Sequence, residues 1–204
     1  MSKRPHKWRD VAWKRAIIDG ADDFVGFVMK KLDDKRDQSR DITGVAGMEL
    51  HVKDSDTDKG MLVSDAYLNV PVKGGDDCNV ACLVEQQHDH KDDFPERIFN
   101  SWVRLRASRP ERRVTAIAVY TGNSKDINHY EENCLECEAS LKFNTFHLPS
   151  CKPEQLREDE HPFACVMYAG LLSYGTEDNA ALREKYALEI LNMTERRGYN
   201  DRQK

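Results

Sequence analysis

The chain has 204 residues, 33 % of them charged, with 31 Lys and Arg against 36 Asp and Glu for a formal net charge of −5, and its mean hydropathy is −0.74. That length suits one ordinary domain spanning residues 1–204, with a sizeable core, and the charge balance excludes a generally basic nucleic-acid-binding chain. No apolar run approaches the ~20 residues of a membrane span and the start, MSKRPHKWRD, lacks the hydrophobic segment of a secretory signal, so a cytoplasmic protein with no membrane partner is expected.

In chain order, residues 8–32 read as helical, with Trp8, Val11, Ala12, Ala16 and Ile17 on one stripe and Phe24, Val25, Val28 and Leu32 on another. Asp19-Gly20 divides them into two helices. The run DKRDQSRD (Asp34–Asp41) is a polar linker, Gly47–Val52 a short strand or helix end, and Lys53–Gly60 a loop. Glu49 reads either as a surface glutamate or as a further carboxylate for a site.

Two strands facing each other across Lys73–Asp77 follow, MLVSDAYLNVPV (Met61–Val72) and CNVACLVEQQ (Cys78–Gln87), joined by the glycine-bearing loop KGGDD. If the loop is centred on Gly75, paired residue numbers sum to 150, which sets Val72 against Cys78, Val70 against Val80 and Asp65 against Glu85. Side chains alternate faces along a strand. Even positions are mainly apolar (Leu62, Ala66, Leu68, Val70, Val80, Cys82, Val84) and read as the core face. Asp65, Tyr67, Asn69, Asn79, Glu85 and Gln87 share the odd face, with Val63 and Leu83 as apolar exceptions. Opposed carboxylates repel. A cation between them removes the repulsion, and two hard oxygen donors suit Mg²⁺ or Mn²⁺. Asp65, Glu85 and Gln87 thus read as a small metal site, in which Gln87 holds a water or a phosphate oxygen by hydrogen bonds. The competing reading is a solvated sheet face with the register shifted by two.

After Gln87, His88 and His90 read either as metal ligands or a general base or, in a run of Asp and Lys, as solvent-exposed loop histidines. Asp93 and Glu96 form a capping box with Pro95 in the first turn, and the helix that follows is expected to bury Ile98, Phe99, Trp102, Val103 and Leu105 and to end before Pro110. Arg97, Arg104, Arg106, Arg109, Arg112 and Arg113 stand close together, either as a phosphate-binding rim or as a solvated helix face. Val114–Thr121 has the pattern of a strand covered on both faces, so the helix makes a β-α-β crossover. Leu141–Leu148 alternates as an edge strand. Helices are expected over 161–174, stopped by Gly175, and over 177–197. The cysteines are expected to be reduced thiols. Cys134 and Cys137 form a Cys-x-x-Cys with His129, His147 and Cys151 near in sequence, a weak zinc signal beside ordinary thiols.

An acid in one hairpin strand followed by Glu-x-Gln in the next resembles the PD-(D/E)XK nuclease superfamily, with Gln in place of the usual Lys. More narrowly, SDAYLNV, then VACLVEQQHDHKDDFPERIFNSWVRL, then VTAIAVYTG resemble the Rpn-type recombination-promoting nuclease and transposase family of bacteria. The likeness is clear from Asp65 to Gly122, with weaker traces in DVAWK and HPFACVMYAGL. It departs at Gln87 and at Ser101, where that family tends to place tyrosine. The resemblance implies an α/β fold: a restriction-endonuclease-like mixed central sheet flanked by helices, in the order α-β-β-β-α-β. N-terminal helices would cover 8–32, a catalytic core about 45–150 and C-terminal helices about 161–197. It further implies a DNA endonuclease linked to recombination or mobile elements, with catalytic Asp65, Glu85 and Gln87. Asp65 and Glu85 would hold Mg²⁺ or Mn²⁺, and Arg97, Arg104, Arg106 and Arg109 would contact DNA. A homodimer is left open, and chains of that family commonly continue beyond the point corresponding to Lys204. The alternative is a catalytically inactive protein that keeps the fold and binds DNA or a protein partner.

Overall fold

The computed structural model describes residues 7–46, 49–51, 61–63, 66–74, 79–88, 91–122, 125–175 and 179–196. Helices α1 (Lys7–Asp19), α2 (Ala21–Val28) and the single turn α3 (Lys30–Asp33) come first, broken at Gly20 as expected and again at Met29. Strands follow: β1 (Thr43–Ala46), β2 (Glu49–His51), β3 (Met61–Val63), β4 (Ala66–Pro71) and β5 (Asn79–Gln87). Helix α4 (Phe94–Ser108) leads to β6 (Arg113–Tyr120). Then come β7 (His129–Cys134), β8 (Cys137–Lys142) and β9 (Asn144–His147), and the helices α5 (Pro153–Glu158), α6 (Pro162–Gly175) and α7 (Ala180–Arg196). Among the described residues no helix is long and apolar enough to cross a membrane.

The central sheet has the order β1-β4-β5-β6-β9. Its first two pairings are antiparallel and its last two parallel. Helix, three antiparallel strands, a crossover helix and a parallel strand is the mixed α/β arrangement anticipated from the sequence, with α5, α6 and α7 added behind it. The hairpin register is also as expected, since Ala66 pairs with Val84 and Pro71 with Asn79, each pair summing to 150. Gly74, in the connection, has φ 135°, a value that favours glycine. Cys78 lies outside the described residues.

Four expectations are corrected. The segment 61–72 is not one strand of one sheet, because β3 pairs with β2 in a separate two-stranded sheet and only β4 enters the central one. The edge strand expected over 141–148 is β9 alone, and Leu141 and Lys142 belong to the β7–β8 hairpin. Asp93 makes no side-chain cap hydrogen bond, although Pro95 does stand in the first turn. Val103 is 41 % exposed, and the buried stripe of α4 runs through Phe94, Ile98, Ser101 and Leu105 instead.

Both sheet faces are covered. The even side chains Ala66, Leu68, Cys82 and Val84, with Ile117 and Val119, pack against Trp13 and Ile17 of α1, Phe24 and Val25 of α2, and Phe163 and Met167 of α6. The odd face is a second core rather than an open surface. There Tyr67, Ala81, Leu83, Ala116, Ala118 and Tyr120 meet Phe94, Ile98 and Leu105 of α4. Three alanines in that set let the helix approach the sheet closely.

Within the first core the Cys82 thiol donates to the Met29 sulfur at 3.4 Å. Burial pushes the Cys82 thiol up to about 12, whereas an unfolded thiol ionises near pH 8.5. The folded state therefore holds this proton more tightly, and that stabilisation is complete below about pH 8 and lost as pH rises toward 12. The expected loss is about 2 kcal/mol at about pH 10 relative to pH 8. Urea midpoints at the two pH values check it, and Cys82→Ala should show a smaller decline.

Candidate active site

The far end of β5 carries the polar residues that a two-sided core would otherwise exclude. Glu85 and Gln87 fall on the odd face and are only 3 % and 4 % exposed, and Glu85 is the only buried residue with a formal charge among the described residues. In the parallel pairing with β6, Glu85 sits beside Ala118 and Gln87 beside Tyr120. The small Ala118 leaves space next to the carboxylate. Tyr120 is fixed by donating its hydroxyl to the Ile127 carbonyl at 2.6 Å and by an edge contact with Phe94 at 5.6 Å. Its phenol is pushed up to about 12, first by burial, so it stays a neutral donor.

Helix α4 starts only a few residues beyond β5 and runs back over the odd face, so its first turns lie at Glu85. Arg97 Nη2 stands 3.9 Å from Glu85 Oε2, with the arginine side chain about one-third exposed. The Arg97 guanidinium also lies over the Phe94 ring at 5.4 Å. Removing a carboxylate from water costs several kcal/mol, and a cation at this distance offsets part of that cost. Ser101, one turn beyond Arg97, is on the buried face of the helix.

The segment after β6 closes this end of the sheet. Thr121 N–H donates to the Gln87 carbonyl at 2.9 Å, and the Gln86 side-chain amide donates to Thr121 Oγ1 at 2.8 Å. A Cβ placed on Gly122 would overlap the His88 carbonyl oxygen and crowd its ring, so this position admits only glycine without a shift of the backbone. His88 is thereby half-buried against Gly122 rather than free in a loop. Thr121 and Gly122 support the site without having been singled out from the sequence. The signal available was the Thr-Gly that ends an otherwise apolar strand.

Asp65 lies outside the described residues, as do Asp89 and His90. The site as described therefore offers one carboxylate, Glu85, and one carboxamide, Gln87. Among the described residues no three His, Cys, Asp or Glu side chains gather as a metal site. Both donors are oxygen donors of the kind that Mg²⁺ and Mn²⁺ take, and they fit such an ion in chemistry when a second anionic oxygen joins them.

The arginines are spread along α4 and past its end. Arg104 and Arg106 lie about 10 and 14 Å farther along the α4 axis than Arg97, by the rise of the helix. Arg106 donates to the Pro110 carbonyl at 2.6 Å, which ties down the helix end, and Arg109 is exposed just past it. Arg113 pairs with Val80, about 17 Å along β5 from Glu85. Arg112 faces inward, donating to Asn69 Oδ1 at 2.6 Å and to the Tyr67 hydroxyl at 3.2 Å. We expect Arg112→Ala to cost about 1–3 kcal/mol in a urea denaturation, because charged hydrogen bonds to β4 disappear, and to leave any DNA affinity unchanged.

At Arg113's end of the sheet a cavity of about 950 Å³ is bordered by Lys30, Lys31, Lys35 and Lys73, with Asp34 and Asp159 as its acids. This basic end was not foreseen, because Lys73 and Arg113 join Lys30, Lys31 and Lys35 from segments far away in sequence. The residues grouped as a zinc signal separate as well. Cys134 and Cys137 pair at a hairpin tip, His129 begins the strand that ends at Cys134, and His147, at the end of β9, makes a tilted ring contact with Tyr120 at 5.6 Å.

Comparison with protein-family models, with curated proteins and with solved structures finds no match. Function is therefore inferred from this geometry and from the motifs.

Proposed function

We propose that this chain is a cytoplasmic endonuclease that hydrolyses DNA phosphodiester bonds with Mg²⁺ or Mn²⁺, of the Rpn recombination-nuclease kind. The observation that carries the reading is the burial of Glu85 and Gln87 together at the end of β5, in a hairpin whose pairs sum to 150. Asp65, set against Glu85 by the sequence reading of the hairpin, lies outside the described residues.

Asp65 and Glu85 would hold the ion, which when bound supplies an acidified water and a positive charge against the phosphate in the transition state. Gln87 accepts a hydrogen bond from the attacking water and orients it. Arg97, already beside Glu85 and partly exposed, reaches a phosphate oxygen by a rotation of its side chain. The cover of α4 keeps bulk water from the carboxylate, which strengthens each of these interactions. Gln87 contributes no charge where the commoner lysine would, so slower cleavage than that of a lysine-bearing nuclease is expected.

One observation favours the second reading, a non-catalytic module that binds DNA or a protein partner. Arg97 at 3.9 Å already counters Glu85, so burial of the carboxylate does not require an ion. Supercoiled plasmid with Mg²⁺ or Mn²⁺ separates the two. Nicking that EDTA stops and that Asp65→Ala lacks supports hydrolysis, and intact plasmid under every condition supports the binding module.

Binding to DNA should weaken steeply with salt. Replacing Arg104, Arg106 and Arg109 by alanine is expected to lower affinity and to reduce the slope of log K against log salt by about 0.9 for each phosphate that is no longer neutralised. An unchanged slope would shift the interface to the basic end at Lys30, Lys31 and Arg113.

A further inference from the structure

The β7–β8 hairpin has no part in the proposed site. Its strands meet at the two-residue turn Leu135-Glu136, flanked by the directly paired Cys134 and Cys137. Both cysteines are free thiols and both are exposed. Directly opposed residues of an antiparallel pair project to the same face with Cβ atoms about 4.5–5.5 Å apart. Two thiolates on one tetrahedral zinc-class ion, with metal–sulfur bonds of about 2.3 Å, stand about 3.8 Å apart. The pair can therefore close on one ion by side-chain rotation alone.

The rest of the hairpin suits that use. Its root is anchored where Tyr130 stacks on Phe99 of α4 at 4.7 Å. On the face of the thiols, strand alternation places Glu132 next, and this carboxylate accepts the Tyr130 hydroxyl at 2.8 Å. Glu131 and Glu138 alternate to the opposite face, away from the sulfurs. Leu135, between the two cysteines, has φ 54° and is the only non-glycine residue with positive φ among the described residues. Glycine is the usual occupant of such a turn position, and a leucine there costs about 1–2 kcal/mol. It is also fully exposed, at 101 %, so within one chain its burial returns nothing against that cost.

A closed thiolate site needs four ligands, and among the described residues no third ligand joins the two cysteines. We propose that this hairpin tip is half of an intermolecular zinc site: Cys134 and Cys137 of two copies bind one ion, and the two Leu135 side chains cover each other beside it. The contact is self-complementary, as a two-fold dimer requires. This dimer does not depend on the nuclease reading.

The test uses the full chain, kept reduced with a phosphine, titrated with Zn²⁺ in the analytical ultracentrifuge and with Co²⁺ by absorbance. The expected result is a dimer holding one ion per two chains, reversed by chelator, with the near-ultraviolet charge-transfer band of a thiolate-ligated Co²⁺ ion. Cys134→Ser and Cys137→Ser should each abolish it, and both positions are exposed, so unchanged circular dichroism is expected. Cys151→Ser should leave it intact. A chain that stays monomeric, one ion per chain, or a dimer that survives removal of both thiols would overturn the proposal.

Discussion

Glu85→Ala is expected to lower metal-dependent nicking of plasmid at least about a hundredfold, since it deletes the one charged donor of the described site. Glu85→Gln keeps the shape and the hydrogen-bonding oxygen but not the charge, and should fail almost as badly. Gln87→Ala should lose about tenfold, because water positioning is removed while the ion stays. Gln87→Lys restores the commoner superfamily residue and is expected to raise the rate. None of these should unfold the protein. Arg97, the partner left behind by Glu85→Ala, has a side chain about one-third exposed and can turn to water. Nicking that survives both Glu85 variants would place the chemistry elsewhere.

Gly122→Ala should be strongly destabilising for the addition of one methyl group. The added Cβ overlaps the His88 carbonyl oxygen. That backbone cannot move without disturbing the Thr121–Gln87 hydrogen bond and the Gln86 amide on Thr121. We expect a loss of about 2–4 kcal/mol, read in a thermal melt as a fall of about 5–15 °C for a chain of this size. Because Gln87 shares the displaced segment, cleavage should also fall at temperatures where the variant is still folded. A melting temperature close to that of the wild type would show that the close approach of β5 and Gly122 is not rigid.

The parts of this fold legible in the sequence were those where burial writes a pattern. Alternation over Ala66–Val72 and Val80–Gln87 and the glycine loop between them sufficed for the register, and the apolar run from Val114 sufficed for a doubly covered strand. The split at β3 was hidden because Met61–Val63 is apolar throughout, as a continuation of the hairpin strand would be, while pairing with β2 instead. Strand β1 is four residues long and contains a glycine, too little for a period to show. The second core was misread for a physical reason. Tyr67, Asn69, Glu85 and Gln87 look like a wet face, yet Leu83 and the alanines 81, 116 and 118 make it one that α4 can cover. The β7–β8 hairpin is largely exposed on both faces, so no hydrophobic alternation marks it. Nearness in sequence around the end of α4 and the start of β6 spreads the arginines along the length of the sheet and turns Arg112 inward, which no sequence pattern displays. Glu85 and Gln87 were recoverable because position in a strand fixes their face.

Thermal melts of the wild type and Asp65→Ala, each with and without Mn²⁺, test most directly whether an ion is shared by Asp65 and Glu85. Binding to the native state alone raises stability by about 2.7 kcal/mol at a hundred times the dissociation constant, so saturating Mn²⁺ should raise the melting temperature of the wild type by about 5–10 °C. It should leave Asp65→Ala nearly unmoved. In metal-free buffer the order is expected to reverse, with Asp65→Ala at or slightly above the wild type, because one of two opposed carboxylates is gone. A wild type that Mn²⁺ stabilises no more than it stabilises Asp65→Ala would contradict the metal site.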